Sequence, residues 1–157
     1  MALTEYLIAT NGESGLSNVG ANGESYASVR GASAASAVGG TQVCQYITSG
    51  PQWAVKRNAL VFDTRTLAPG TTIYGGYIEF HPHKWAQVDT FLILQNGQPE
   101  YPHYPVVAGD YDLTHYGSAQ GGSWHTENVP LNVSFTTQKL YLNANGISWI
   151  RPGNYTK

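Results

Sequence analysis

The sequence predicts an all-β chain, a two-sheet antiparallel β-sandwich of jelly-roll type with little helix. Three observations lead there. Short apolar runs dense in β-branched and aromatic residues recur between clusters of Gly, Pro and Asn. In the segment Leu131–Thr137, Leu131, Val133 and Phe135 alternate at the period of a half-buried strand. No window keeps the 3.6-residue apolar period of an amphipathic helix over three turns. The 157 residues suit one domain, 1–157, large enough to bury roughly 70% of the unfolded surface.

Taken in order, residues 1–24 form an N-terminal arm or edge segment, because the Asn-Gly pairs of "NGES" at 11–14 and 22–25 favour turns. A short strand is expected at Ser25–Arg30, where Tyr26 and Val29 interrupt small residues. "GASAASAVGG" at 31–40 has flanking glycines and no apolar stripe, so it reads as loop or extended edge. Stronger strands follow at Thr41–Thr48, Trp53–Asp63 and Thr72–His81. Val88–Gln95 is a short apolar run, as a buried sandwich strand would be. Pro99, Pro102 and Pro105 forbid a central strand between Asn96 and Pro105. Gly109–Ser123 reads as a polar loop. "KLYLNANGISWI" gives a strand, a single helical turn at Asn143–Gly146 and a second apolar patch. The eight-residue connection from Asp63 to Gly70, ending in Pro69-Gly70, has the length to leave one sheet and enter the other.

Composition narrows the function. Charged residues make up 11% of the chain, against roughly 25% in an ordinary soluble domain. Glycines, hydroxyls, amides and eleven tyrosines fill the surface instead. Such a surface repels its neighbours weakly and suits contact with copies of itself or with polar polymers. The net charge is −2 and the cations are scattered singly, so no basic stripe is present to neutralise phosphates and nucleic acid is not an expected partner. No apolar run reaches the length of a membrane span, so no membrane partner is expected. Cys44 is the lone cysteine, which excludes a disulfide framework within the chain. Near the start, Glu5 stands where an export signal would carry Lys or Arg. A polar, exterior-looking chain without an export signal fits a virion protein, which assembles inside the host; a mature secreted fragment or a domain cut from a longer chain also fits.

The stretch "R57-N-A-L-V-F-D-T-R-T-L-A-P-G-T-T-I73", with Leu60, Phe62, Asp63, Leu67, Gly70 and Ile73, resembles the signature of DNRLRE-type β-sandwich domains, which are related to some carbohydrate-binding modules. Domains of this type also occur among bacteriophage structural proteins. "Y141-L-N-A-N-G-I-S-W-I150" is similar to a second element of that family, and "N154-Y-T-K157" to the start of its final strand. The resemblance covers roughly two-thirds of the chain and implies fold more than function. In similar proteins another apolar strand follows, so either the sequence belongs to a longer chain or a final strand is missing after Lys157. The open sheet position would accept a strand from a neighbour.

Candidate chemistry is sparse. Asp63 reads as a structural turn residue, its carboxylate accepting N–H groups of the loop that Pro69 and Gly70 close. His81 and His83 are metal candidates only as a weak pair, because no third ligand accompanies them. His103, His115 and His125 lie in loops that could converge. Asp110 and Asp112 in "GDYD" lack the rest of a calcium loop. No nucleophile elbow is present, and no two acids are marked as partners, so the chain reads as no enzyme, with no cofactor. Trp85 and Trp124 sit in loop-like context, and with Tyr101, Tyr104 and Tyr116 they are the expected ligand contacts. Trp53 and Trp149 read as core. The expected function is a non-enzymatic structural protein of a bacteriophage virion, a capsid decoration protein or a tail-fibre or adaptor module. Its partners would be copies of itself and other virion proteins. The alternatives are an extracellular or cell-surface carbohydrate-binding module that meets glycan, and a strand-exchanged extracellular filament subunit.

Overall fold

The computed structural model describes residues 7, 15–39, 44–47 (backbone alone), 52–81, 91–125 and 137–157. Within them the fold is all-β: every ladder is antiparallel, and the two α-helices are short. The largest sheet has the order β2-β1-β4-β3, from β1 (Gly15–Val19), β2 (Ala37–Val38), β3 (Cys44–Ile47) and β4 (Trp53–Asn58). Three two-stranded ladders complete the set. β5 (Phe62–Asp63) pairs with β10 (Tyr155–Thr156), and β6 (Tyr77–Phe80) with β9 (Gln138–Tyr141). β7 (Phe91–Leu94) pairs with β8 (Gly122–His125).

Two apolar clusters hold the four-stranded sheet and the β6–β9 and β7–β8 ladders. The first joins Leu16, Val29, Val55, Ala59 and Tyr111. Tyr111 is fully buried, so its hydroxyl needs an acceptor, and it donates to the Val29 carbonyl at 3.1 Å. Above the ring lies the Arg57 guanidinium, 3.8 Å from its centroid. Arg57 donates to the carbonyls of Tyr111 and Arg30, which lets a cation sit half-buried beside the core. The second cluster joins Trp124 and Leu140, with Ile78, Phe80, Leu92, Leu94 and Leu142 packed on them. Phe80 meets Trp124 edge-on, with centroids 5.1 Å apart and planes at 84°.

Several expectations change. Ser25–Arg30 holds no strand. Ser25 caps the helix α1 (Tyr26–Arg30), its side chain accepting from the Ser28 N–H at 3.2 Å. Glu24 adds an acceptor for the Ala21 N–H at 2.8 Å. Val29 is the one buried residue of this helix, so a single apolar anchor and a capped start decide its form. Gly15–Val19, inside the expected arm or edge segment, lies between β2 and β4. The run Trp53–Asp63 is broken: Asn58 ends β4, buried Ala59 and Val61 turn the chain, and β5 begins a different sheet. "GSWH", expected within or beside a polar loop, is β8. The helical turn after Asn143 is present as α2 (Ala144–Ser148), and no strand crosses the proline segment. The strand expected at Leu131–Thr137 falls almost wholly outside the described residues, with only Thr137 within them.

Replacing Trp124 with Ala should lower stability by about 3–5 kcal/mol, the usual cost of emptying a large aromatic site. Urea unfolding followed by circular dichroism reads it, and an unchanged midpoint would place the indole outside the core.

Candidate functional site

The proline-rich segment after β7 and the helix α2 meet at one end of the second apolar cluster. The segment is drawn into a tight loop: the Tyr101 N–H donates to the Gly97 carbonyl at 2.9 Å, and the Gln98 N–H to Asn96 Oδ1 at 3.0 Å. Gly97 has no space for a side chain, because a Cβ there would lie 2.7 Å from that of Tyr101 and 2.9 Å from the Tyr116 ring.

Asp110 organises the rest of the loop. Its carboxylate is shut from solvent, yet it accepts three backbone bonds. Two come from the His103 N–H at 3.1 Å to each oxygen and one from the Val107 N–H at 2.9 Å. The His103 ring adds a contact of 2.6 Å from Nδ1. His103 itself is half exposed, so its Nδ1 is engaged and the ring edge reaches solvent. Tyr101 packs edge-on to His103 at 5.1 Å and stacks flat on His115 at 3.8 Å, with planes 11° apart. Tyr116 donates to the Asp110 carbonyl at 2.8 Å, and burial, then the Asp110 charge, pushes its phenol well above the usual tyrosine range. His103 and His115 therefore do converge, through Tyr101. An imidazole oriented by a buried carboxylate is a general-base geometry. Here the same carboxylate is also the acceptor for the loop's own N–H groups, so the pair ties the loop. Among the described residues no three His, Cys, Asp or Glu gather to hold a metal.

Beside this cluster opens a cleft of about 200 Å³, lined by Asn96, Gln98, Pro99, Ser148, Trp149 and Arg151. Its floor is rigid. Asn143 caps α2 by accepting from the Gly146 N–H at 3.1 Å. Gly121 and Gly146 let the backbone approach closely: a Cβ on Gly121 would lie 2.2 Å from the Trp149 ring, and one on Gly146 2.2 Å from the Gly121 carbonyl. Gln98 Nε2 donates to the Trp149 carbonyl at 2.9 Å, and its Oε1, shielded from solvent, accepts no bond.

The expected contact residues scatter. Trp124 is buried, 9% exposed, because β8 turns it inward between Phe80 and Leu92; it is corrected from surface contact to core. Trp85 and His83 lie outside the described residues, and His81 is exposed at the end of β6. Tyr101 and Tyr116 are half-buried within the loop cluster, whereas Tyr104 is exposed and leans on Tyr155 at 6.0 Å. Trp149, expected in the core, is half-buried and lines the cleft. Asp110 and Asp112 diverge: the first turns inward, and the second caps a 3-10 turn by accepting from the Thr114 N–H at 2.8 Å. Asp63 accepts from the Arg65 N–H at 3.1 Å and from its guanidinium at 2.9 and 2.6 Å. Those bonds hold its carboxyl down to about 2. Gly70 takes φ +82°, as the turn requires, and Pro69 packs over Gly153. Sequence reasoning missed Gln98 and Arg151; single polar residues in separate loops give no local signal.

The chain matches no protein family, no curated protein and no solved structure.

Two outcomes test this geometry. Asp110→Ala removes the acceptor that the His103 and Val107 N–H groups share, at about 1 kcal/mol for each part-buried bond lost, so its thermal midpoint should fall. Asp63 should titrate near 2 by carbon-detected NMR and move toward its ordinary 3.8 in Arg65→Gln. Its folded value is depressed, so its contribution to stability is present above 3.8 and is lost as pH falls through about 2.

Proposed function

We propose that this chain is a non-enzymatic structural protein of a bacteriophage particle, a capsid decoration protein or a tail-fibre or adaptor module. Its described ladders would be parts of a jelly-roll-like sandwich, and it would act by self-association and surface contact. The observation that carries this reading is the outer face of β7. Leu92 and Leu94 pack inward, while Phe91 and Ile93 stay 63% and 49% exposed. Phe91 lies against His125 of β8, with centroids 4.3 Å apart, and Ile93 pairs with exposed Ser123. A strand apolar on both faces is built to be covered on both. The low charge of the chain removes the repulsion that would keep copies apart.

A second reading, a glycan-binding module, draws support from the cleft at Trp149, where an indole and two side-chain amides line a space the size of one sugar ring.

Sedimentation of the full chain at micromolar to millimolar concentration tests the leading reading. A multimer is expected, and Phe91→Ser with Ile93→Thr should return it to monomer without changing the circular dichroism. A wild-type chain that stays monomeric throughout, or purified particles that lack stoichiometric copies of it, would overturn the proposal.

A further inference from the structure

The cleft between the proline-rich loop and α2 has walls of mixed chemistry, and that mixture defines what it would hold. At about 200 Å³ it is smaller than the roughly 300–1,000 Å³ of sites for drug-sized molecules, so it takes one ring. Trp149 and Pro99 offer apolar surface. Asn96 spends its oxygen on the Gln98 N–H, which leaves its side-chain N–H₂ without an acceptor among the described residues. Gln98 Oε1 lacks a donor, although the same amide is latched to the Trp149 carbonyl through Nε2. Ser148 donates to the Asn145 carbonyl at 2.7 Å and keeps lone pairs to accept with. Arg151 is exposed and meets no carboxylate among the described residues. Lys157 adds a second cation beside the Pro99 wall, near the Pro99 and Glu100 carbonyls at 3.4 and 3.3 Å.

We propose that this cleft binds a sugar acid, a pyranose ring carrying a carboxylate, as in a hexuronate unit of an acidic polysaccharide. The assignment rests on the glycan-binding reading and narrows it. Ring hydroxyls supply a donor for the exposed Ser148 hydroxyl and an acceptor for the Asn96 side-chain N–H₂. The C–H face of the ring lies on Trp149, and the carboxylate meets Arg151. A bare anion would use the guanidinium and leave the amides and the indole idle. A neutral apolar ring would leave the amides unpaired. The site is preorganised, because Trp149 is seated on Gly121 and fixed through its carbonyl, so little ordering is needed on binding.

The full chain is titrated with methyl galacturonide and trigalacturonate, with methyl galactoside as the neutral arm and sodium acetate and sulfate as ionic arms. Calorimetry and the indole and side-chain amide NMR signals provide the readouts. Saturable binding is expected, about tenfold tighter for the uronides than for the neutral sugar. Arg151→Gln should erase that preference while the fold, read by circular dichroism, persists. Trp149→Phe should weaken both sugars. Equal affinity for the neutral sugar overturns the acidic assignment and leaves the glycan-binding reading standing. No saturation with any sugar overturns both. Equal response to acetate or sulfate shows an adventitious anion site only and also overturns the proposal.

Discussion

A carboxylate closed off from water must be surrounded by donors, and Asp110 draws its donors from the backbone it organises. The N–H groups of His103 and Val107 and the His103 ring all turn toward it, so the loop cannot open without breaking every one of these bonds. The next residue, Tyr111, points the other way, into the cluster of Leu16, Val29 and Val55. Two adjacent residues of one 3-10 turn therefore anchor the polar loop on one side and the four-stranded sheet on the other. The loop borrows the rigidity of the sheet through a single peptide unit.

That anchoring bears on the cleft. Asn96 and Gln98 belong to the same loop, and the Gly117 N–H donates to the Asn96 carbonyl at 3.1 Å, so the far end of the loop fixes its start. The opposite wall is equally constrained, by glycines that admit Trp149 and by Asn143 at the head of α2. The C-terminal ribbon is tied in separately. The Thr64 hydroxyl, buried at the start of the crossover loop, contacts the Arg151 and Asn154 carbonyls at 2.8 and 2.7 Å and the Thr156 hydroxyl at 3.0 Å. Arg151 therefore reaches the cleft from a backbone held by the crossover that Asp63 begins.

The all-β class was legible because β-branched density and turn residues act locally, and the proline segment and the Asn143 turn were legible for the same reason. The failures have a common cause. Ser25–Arg30 looks extended until Ser25 is seen to cap a turn whose only buried side chain is Val29. "GGSWH" looks like loop because its glycines signal turns, yet Gly122 is a strand residue at a close approach, where a Cβ would lie 2.5 Å from the Tyr141 carbonyl. That same misreading put Trp124 on the surface. Two residues of the cleft were harder still: Gln98 and Arg151 are 53 positions apart in number and meet only through tertiary packing.

The chain's economy of charge links its interior to its surface. Where a charge lies deep, it is matched: Asp110 by backbone donors, Arg57 by two carbonyls and the face of Tyr111. Near the surface the cations also settle on aromatic rings, Arg65 over Tyr155 at 4.6 Å and Lys139 over Tyr77 at 4.1 Å. Each such pairing lays a cation along a ring and shortens its reach into solvent. The outer surface is left to hydroxyls, amides and apolar faces such as that of Phe91 and Ile93, which are attractive at short range and weakly repelled at long range. Arg151 departs from this pattern, with no ring or carboxylate against it among the described residues. Its charge is free to meet something from outside.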